Sequence, residues 1–145
     1  MVSGFLLDTN IWILWLKEAP PALRRRMESE KATRIAVCSI VKAELWHGAR
    51  KYQNADERLR ILTELLAPYR SLPFDDTAAR HYADIRHQLE TQGQIIGPND
   101  LKIAAICRAN DLTLVSTNTS EFGRVPGLKV EDWSQTPVKA DEPAP

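Results

Sequence analysis

Short apolar runs, each followed by a longer segment with helical periodicity, constrain the fold of this 145-residue chain more than any other feature. Runs of this kind lack the polar–apolar alternation of half-exposed strands and are typical of strands buried on both faces of a parallel sheet. We predict four such strands, at residues 4–7, 34–38, 113–115 and 128–130. Strands that alternate with helices predict an α/β fold with a parallel central sheet and helices on both faces.

The segments between these strands carry the start signals and the spacing of helices. We predict helices at residues 11–16, 20–29, 40–50 and 99–110, one that begins at Asn54, and one capped by residues 75–77 that runs to about residue 92. A further short strand is predicted at residues 72–74. Because Pro73 has no N–H for a ladder, this strand can only be an edge strand or a bare connector.

The length of the chain is typical of one domain, since about 150 residues bury enough surface for a core without disulfides or metals. We predict that the folded domain spans residues 1–133. Residues 134–145 contain three prolines and mixed charges, and we predict a disordered tail there.

Charge, cysteine content and hydropathy argue against a globally basic, a disulfide-bonded or a membrane-spanning protein. The formal net charge is zero, so any contact with nucleic acid must come from local basic patches. Cys38 and Cys107 lie in apolar surroundings and are predicted to be buried free thiols in a reducing compartment. No apolar run approaches the about 18 residues of a membrane span, and the N-terminus lacks the features of a signal peptide. We therefore predict a cytoplasmic protein.

Four acidic residues lie beside apolar runs, where a carboxylate is costly unless it is paired, hydrogen-bonded or bound to metal: Asp8, Glu44, Asp100 and Glu121. Asp8 directly follows the first predicted strand, and Glu121 follows the third within a short loop. Glu44 lies in the helix after the second strand, and Asp100 opens the helix before the third. Ligands of parallel sheets bind outside the carboxyl ends of the strands, so all four can reach the same edge. Four carboxylates that converge there would form a site for a hard divalent cation.

Each acid also has a purely structural interpretation. Asp8 can be a helix N-cap, and Asp100 can be a first-turn acid that complements the helix dipole. Glu121 can be exposed in its polar loop. Glu44 is harder to explain in this way, because helical spacing places it on the same face as its apolar neighbours.

Other chemistries lack their motifs. The sequence contains neither a Walker loop nor G-x-G-x-x-G, so a nucleotide cofactor is not expected. Its histidines and cysteines lack the spacing of zinc ligands. Ser39 and Lys42 match S-x-x-K, but the companion motifs of penicillin-binding enzymes are absent.

Four segments together resemble PIN-domain ribonucleases, and more narrowly the VapC toxins of type II toxin–antitoxin systems: LLDTNIWI, SIVKAELWHGA, IGPNDLKIAAICRANDLTLVSTNTSEF and RVPGLKVEDW. The resemblance extends from about Phe5 to Trp133. It implies a PIN-like three-layer α/β/α fold with a short parallel central sheet. It also implies an Mg²⁺- or Mn²⁺-dependent endoribonuclease that cuts tRNA or rRNA loops, forms a homodimer and is neutralised by a cognate VapB-like antitoxin.

By position, the resemblance makes Asp8, Glu44, Asp100 and Glu121 the acids of the metal site. Asp8 and Asp100 are expected to be direct ligands, with Glu44 and Glu121 holding water on the metal or completing a second site. Many relatives carry Asp where Glu121 stands and Thr where Ser116 stands. The polar residues expected to orient the carboxylates are Thr9, Asn10, Ser116 and Asn118.

Contacts with RNA phosphate are expected from basic residues on helices or in turns, namely Arg24, Arg25, Arg26, Lys17, Arg50, Lys51 and Arg86. The tryptophans are expected in the core or at an interface. Two alternatives remain open, a non-catalytic RNA- or partner-binding module on the same fold and a phosphohydrolase of small nucleotides.

Overall fold

A single five-stranded parallel sheet forms the centre of the molecule, which we describe from a computed structural model for residues 4–135. The strands are β1 (Phe5–Leu7), β2 (Ile35–Cys38), β3 (Arg70–Leu72), β4 (Thr113–Val115) and β5 (Lys129–Glu131), in the order β3-β2-β1-β4-β5. Within this range the helices are α1 (Thr9–Lys17), α2 (Pro21–Ser29), α3 (Ser39–Ala49), α4 (Ala55–Leu66), α5 (Asp76–Thr91), α6 (Pro98–Ala109) and α7 (Thr119–Phe122). The predicted three-layer α/β/α fold with a short parallel sheet is confirmed.

β1 occupies the middle of the sheet and is buried on both faces. Phe5 pairs with Ile35 of β2 on one side and with Thr113 of β4 on the other. The side chains of Leu6 and Leu7 have no exposed surface, which explains why this strand reads as a continuous apolar run. Gly4 lets β1 enter the sheet, because a Cβ at this position would lie 2.7 Å from a backbone carbonyl oxygen of the chain before β2.

Two predicted strands are displaced from their observed positions. The strand predicted at residues 72–74 is Arg70–Leu72. It pairs with β2 from Ala36 onward and ends before Pro73, which cannot donate to the ladder. It is an edge strand, as the proline indicated. The last strand lies one residue later than predicted, at Lys129–Glu131, in register with β4.

The order of the strands reverses direction beside β1. The chain moves from β1 to β2 and β3 on one side, then returns to β4 and β5 on the other. A reversal of this kind opens a crevice at the carboxyl ends of the two strands that flank it, here β1 and β4. Asp8 follows β1 and Ser116 follows β4, so both residues lie at this crevice.

The helices begin where the sequence supplies caps. Asp8 and Asp75 are the N-caps of α1 and α5, and each side chain accepts a hydrogen bond from the first turn. α2 and α6 begin with proline at the first helical position. Both cysteines are buried free thiols, as predicted. Of the described helices, none is long and apolar enough to cross a membrane. Most of the predicted tail, from residue 136 onward, lies outside the described residues.

Candidate active site

Asp8 is held between β1, β4 and the first turn of α1. Its backbone N–H donates to the Val115 carbonyl oxygen at 3.0 Å, which extends the pairing of the two strands. The residue is 5% exposed. Oδ1 accepts from the Ile11 N–H at 3.1 Å, and Oδ2 accepts from the Ser116 hydroxyl at 2.5 Å. Asp8 is therefore both a helix cap and a buried carboxylate at the crevice.

The pKa of Asp8 is raised above its ordinary value, mainly because burial penalises the charged form. The hydrogen bonds from Ser116 and Ile11 oppose this rise, and the charges of Glu44 and Asp132 add to it. A nearby cation would offset the cost of keeping the buried Asp8 carboxylate charged.

Glu44 lies in α3 and is half-buried. Its Oε1 accepts a hydrogen bond of 2.6 Å from the Thr9 hydroxyl, at the start of α1. This contact joins the helix that follows β1 to the helix that follows β2. It fixes the Glu44 carboxylate beside Thr9, the residue that follows Asp8 in the sequence.

Asp100 lies in the first turn of α6 and is half-buried. Within residues 4–135 it accepts no hydrogen bond from another group. Burial, then the charges of Glu121, Asp8 and Glu44, raise its pKa to about 6. Asp100 is therefore close enough to the other three predicted acids to be repelled by each of them, and no hydrogen bond from the described residues compensates its charge.

Glu121 was predicted to lie in a loop, and this is wrong: it lies in the short helix α7, one residue before its end. Its Oε1 accepts from the Gly97 N–H at 3.3 Å, and its Oε2 accepts from the side-chain amide of Asn118. The Gly97 contact ties α7 to the residue before α6, which brings Glu121 towards Asp100. The helix escaped prediction because four residues are too few for a helical periodicity.

Ser116 links Asp8 to Glu121 through a series of hydrogen bonds. It is fully buried, donates to Asp8 and accepts from the backbone N–H of Asn118 at 2.9 Å. Its own N–H donates to the Glu131 carbonyl oxygen at 2.9 Å, which fixes it to β5. A continuous line of hydrogen bonds therefore runs from Asp8 through Ser116 and Asn118 to Glu121.

The remaining predicted polar residue, Asn10, does not join this network. Its side chain is exposed, and within the described range it makes no hydrogen bond to the acids. Thr9, Ser116 and Asn118 each contact one of the four carboxylates directly.

Asp132 is a further acid at this edge that the sequence analysis did not include. It directly follows β5, and its charge contributes to the raised pKa of Asp8. Its Oδ1 accepts from the N–H and the hydroxyl of Ser134, at 2.8 and 2.6 Å. The rule that selected Asp8, an acid directly after a predicted strand, would also have found Asp132 once the last strand was placed one residue later.

The donor set of this site fits a hydrated divalent cation. All its charged donors are carboxylate oxygens, the ligands that Mg²⁺ prefers. Among residues 4–135, no three His, Cys, Asp or Glu side chains stand close enough together to hold one ion between them. The described side chains therefore form no closed cage of protein ligands. Mg²⁺ does not require one, because it is usually held by one or two carboxylates and keeps several waters.

Several basic residues expected to contact RNA are engaged elsewhere. The Arg26 guanidinium lies 4.6 Å from the centre of the Trp133 ring and 5.3 Å from that of Phe5. Arg86 pairs with Glu90 at 2.7 Å. Lys17 and Arg25 make no ion pair within the described residues. Of the tryptophans expected in the core or at an interface, Trp12 is fully buried and Trp46 is 39% exposed.

Known proteins share both this sequence and this fold. Residues 5–128 match the PIN domain family. The tRNA(fMet)-specific endonuclease VapC of Shigella flexneri is 38% identical over 130 residues, which cover 90% of this chain and 98% of that protein. Ribonuclease VapC2 of Haemophilus influenzae is 36% identical over 129 residues, 89% of this chain and 97% of that protein.

A solved structure agrees with these sequence relatives. The crystal structure of DNA-bound VapBC from Salmonella typhimurium superimposes with a TM-score of 0.84 at 34% identity, over 90% of this chain and 98% of that one. These similarities extend over nearly the whole described chain, and the range 5–128 contains the strands β1 to β4 and the positions of the four acids. The chain therefore belongs to the PIN-domain family and, within it, to the VapC ribonucleases.

Proposed function

We propose that this chain is an Mg²⁺-dependent endoribonuclease toxin that hydrolyses phosphodiester bonds in RNA, with Mn²⁺ able to replace Mg²⁺. One observation carries the proposal: Asp8, Glu44 and Glu121 come from different segments, and all three place negative charge near Asp100 at the crevice beside β1 and β4. Membership of the VapC ribonucleases supports the same activity.

The roles of the four acids follow from how each is held. Asp8 is fixed by two hydrogen bonds, and Asp100 accepts none from the described residues, so these two have oxygens suited to direct contact with a cation. Glu44 and Glu121 are held by Thr9 and Asn118 and would orient water in the site. A bound divalent cation lowers the pKa of water and offsets the charge that develops on phosphate.

We propose a tRNA as the substrate. The Shigella flexneri relative is named a tRNA(fMet)-specific endonuclease, and initiator tRNA is therefore the first RNA to test. Unpaired loops expose their bases and backbone to a protein far more than a duplex does. We expect cleavage within a loop of such an RNA.

The decisive variant is Asp8→Asn. Asparagine keeps the oxygen that caps α1, removes the charge and replaces the oxygen that accepts from the Ser116 hydroxyl by an N–H donor. We expect cleavage to fall at least 100-fold, and thermal unfolding of the variant verifies that the fold is retained. Asp75→Asn is the matched control, because Asp75 caps α5 through the same contact, a 2.9 Å hydrogen bond from the Ala78 N–H. Cleavage is measured by gel electrophoresis of end-labelled initiator tRNA, with Mg²⁺ and with EDTA.

Full cleavage by Asp8→Asn, or cleavage that persists in EDTA, would overturn the proposal. A non-catalytic binding module on this fold need bind no cation at all. Calorimetric titration with Mg²⁺ separates the two functions, since the nuclease should bind the ion and Asp8→Asn should bind it more weakly.

We further propose that a VapB-like antitoxin neutralises this chain, that the chain forms a homodimer and that it acts in the cytoplasm. The structural relative from Salmonella typhimurium was solved as VapBC, that is, VapC together with VapB. Co-expression with a VapB-like protein should abolish the RNA cleavage of the wild-type chain. Light scattering of the isolated chain tests the dimer, and a monomer at micromolar concentration would exclude it.

A further inference from the structure

Arg108 joins α6 to two other segments of the fold. It lies in the last turn of α6, and its side chain is 18% exposed. Nε donates to His81 Nδ1 of α5 at 2.8 Å, and a terminal nitrogen donates to the Pro126 carbonyl oxygen at 3.0 Å. The other terminal nitrogen lies 3.9 Å from Asp84 Oδ2, but the Asp84 side chain is 76% exposed, so this ion pair contributes little. The main contacts of Arg108 are therefore a ring nitrogen and a backbone carbonyl.

The guanidinium of Arg108 is held in a fixed orientation. The bond to His81 sets its plane, because all three nitrogens of a guanidinium lie in one plane. The turn at Pro126 also comes close to the arginine stem, since a Cβ added at Gly127 would lie 3.6 Å from Arg108 Cδ. Gly127 has a φ of +75°, which glycine adopts without strain. Arg108 is thus fixed by α5 on one side and packs against this turn on the other.

The turn at Pro126 belongs to the segment that carries Glu121. This segment, residues 117–128, crosses from β4 to β5 and includes α7, which is too short to be stable without tertiary contacts. The Arg124 N–H donates to the Glu121 carbonyl oxygen at 3.1 Å, and a single residue lies between Arg124 and Pro126. A displacement of the turn is therefore passed on to Glu121 through a short, hydrogen-bonded stretch of backbone.

α6 contacts this segment at both of its ends. At the start of α6 the Gly97 N–H donates to Glu121 Oε1 at 3.3 Å, and in the last turn Arg108 donates to Pro126. The two contacts are about 16 Å apart along the helix. Buried apolar side chains hold the inner face of the segment, but apolar contacts have no direction and do not fix its position along α6. The polar contacts at the two ends supply that constraint.

We propose that Arg108 is a positioning residue for Glu121. By holding the Pro126 turn against α6, it sets where the Glu121 carboxylate stands relative to Asp100, which lies in the first turn of the same helix. His81 takes part by orienting the guanidinium. The proposal rests on the proposed function, because Glu121 is one of the acids of the proposed metal site. A residue that only supports the fold would act in the same way whether Glu121 is present or absent, and this difference separates the two roles.

Amide exchange in the metal-free protein tests the position of Glu121 directly. NMR measures how fast the Gly97 amide proton, which the Glu121 carboxylate accepts, exchanges with water. Arg108→Gln should speed this exchange about 2- to 13-fold, the range for the loss of one hydrogen bond. The Ala78 amide is the control, because it also donates to a carboxylate, that of Asp75 at 2.9 Å, and lies in α5, which Arg108 contacts as well. Its exchange rate should not change.

A double-mutant cycle with Glu121→Gln tests whether Arg108 acts through Glu121. In the wild type, Arg108→Gln should lower the kcat of tRNA cleavage about 10-fold and leave KM nearly unchanged, since a misplacement of about 1 Å can cost up to about 100-fold. In Glu121→Gln the same substitution should cost less than about twofold, because the group that it positions is already gone. Mg²⁺ affinities from calorimetry should follow the same pattern. Arg60→Gln is the control, since Arg60 pairs with Glu64 on an exposed part of α4.

His81 provides a milder perturbation if Arg108→Gln does not fold. His81→Leu removes the acceptor of Arg108 Nε and should lower kcat less than Arg108→Gln does, with the same dependence on Glu121. His81→Asn should restore kcat, because the asparagine oxygen can accept the same hydrogen bond. Thermal unfolding of each variant verifies that the fold is retained.

An equal loss of kcat with and without Glu121 would overturn the proposal, because Arg108 would then support only the fold. So would an unchanged exchange rate at Gly97, or an equal rise at Ala78, which would indicate a general loosening. Failure of the wild-type chain to cleave any RNA would refute the proposed function instead. The amide exchange and the Mg²⁺ affinities would still decide whether Arg108 positions Glu121.

Discussion

Replacing Asp100 by asparagine should stabilise the metal-free protein even though it removes activity. Asp100 is half-buried, and burial together with the charges of Glu121, Asp8 and Glu44 raises its pKa from 3.8 to about 6. A displacement of this size corresponds to about 3 kcal/mol. Solvent screening of a half-buried group reduces the effect, so we expect the free energy of unfolding to rise by about 1–2 kcal/mol in Asp100→Asn at pH 7.

The effect has a defined pH window. Because the pKa of Asp100 is higher in the folded state than in the unfolded one, the folded protein binds the proton more tightly. The contribution of this group to stability is then largest below about pH 4 and is lost as pH rises to about 6. Asp100→Asn has no such proton, so its advantage over the wild type should be present at pH 7 and absent below pH 4.

Thermal unfolding in EDTA measures this difference, and the melting temperature should rise by about 2–8 °C at pH 7. Asp76→Asn is the matched control, since Asp76 is a first-turn acid on an exposed part of α5. Its loss should cost a few tenths of a kcal/mol through the helix dipole. A melting temperature that falls in Asp100→Asn, as in the control, would refute the mutual repulsion. Added Mg²⁺ should stabilise the wild type more than Asp100→Asn, because an ion stabilises a protein only to the extent that it binds, and the variant should bind it more weakly.

Substitutions at three further positions test the contacts of the site and of the central strand. Ser116→Ala leaves Asp8 Oδ2 without its buried donor and should lower the free energy of unfolding by about 1–3 kcal/mol in chemical denaturation, whereas Ser116→Thr should retain stability and cleavage. Thr9→Val should slow tRNA cleavage at least several-fold in a gel assay while changing the melting temperature little, because it frees the half-buried Glu44 carboxylate. Gly4→Ala should destabilise by about 1–3 kcal/mol in the same denaturation assay, since its Cβ would lie 2.7 Å from a backbone oxygen.

The sheet and most helices could be predicted from the sequence because their signals are local. An apolar run such as Phe5–Leu7 and a cap such as Asp75 each carry their structure within a few residues. β3 was displaced because its position is set by pairing with β2, a contact between residues more than 30 positions apart. The helix α7 was missed because a single turn has no period to detect.

The candidate site was predictable to a different degree at each acid. The topological rule for parallel sheets selected Asp8, and helical spacing selected Glu44. The sequence could not show that Ser116 would donate to Asp8, because 108 residues separate them. It also could not show that Glu121 would reach the Gly97 N–H, a contact that requires α7 to pack against the turn before α6.

The four carboxylates differ in how firmly the fold holds them, and this difference predicts where a cation would act. Asp8 has two donors and little exposed surface, so a bound ion should move it little. Glu44 and Glu121 each have side-chain donors that fix at least one oxygen. Asp100 has none within the described residues, and its pKa is about 6. Asp100 is therefore the acid whose charge a cation would compensate most, which makes its substitution the most direct measure of whether these four residues form one site.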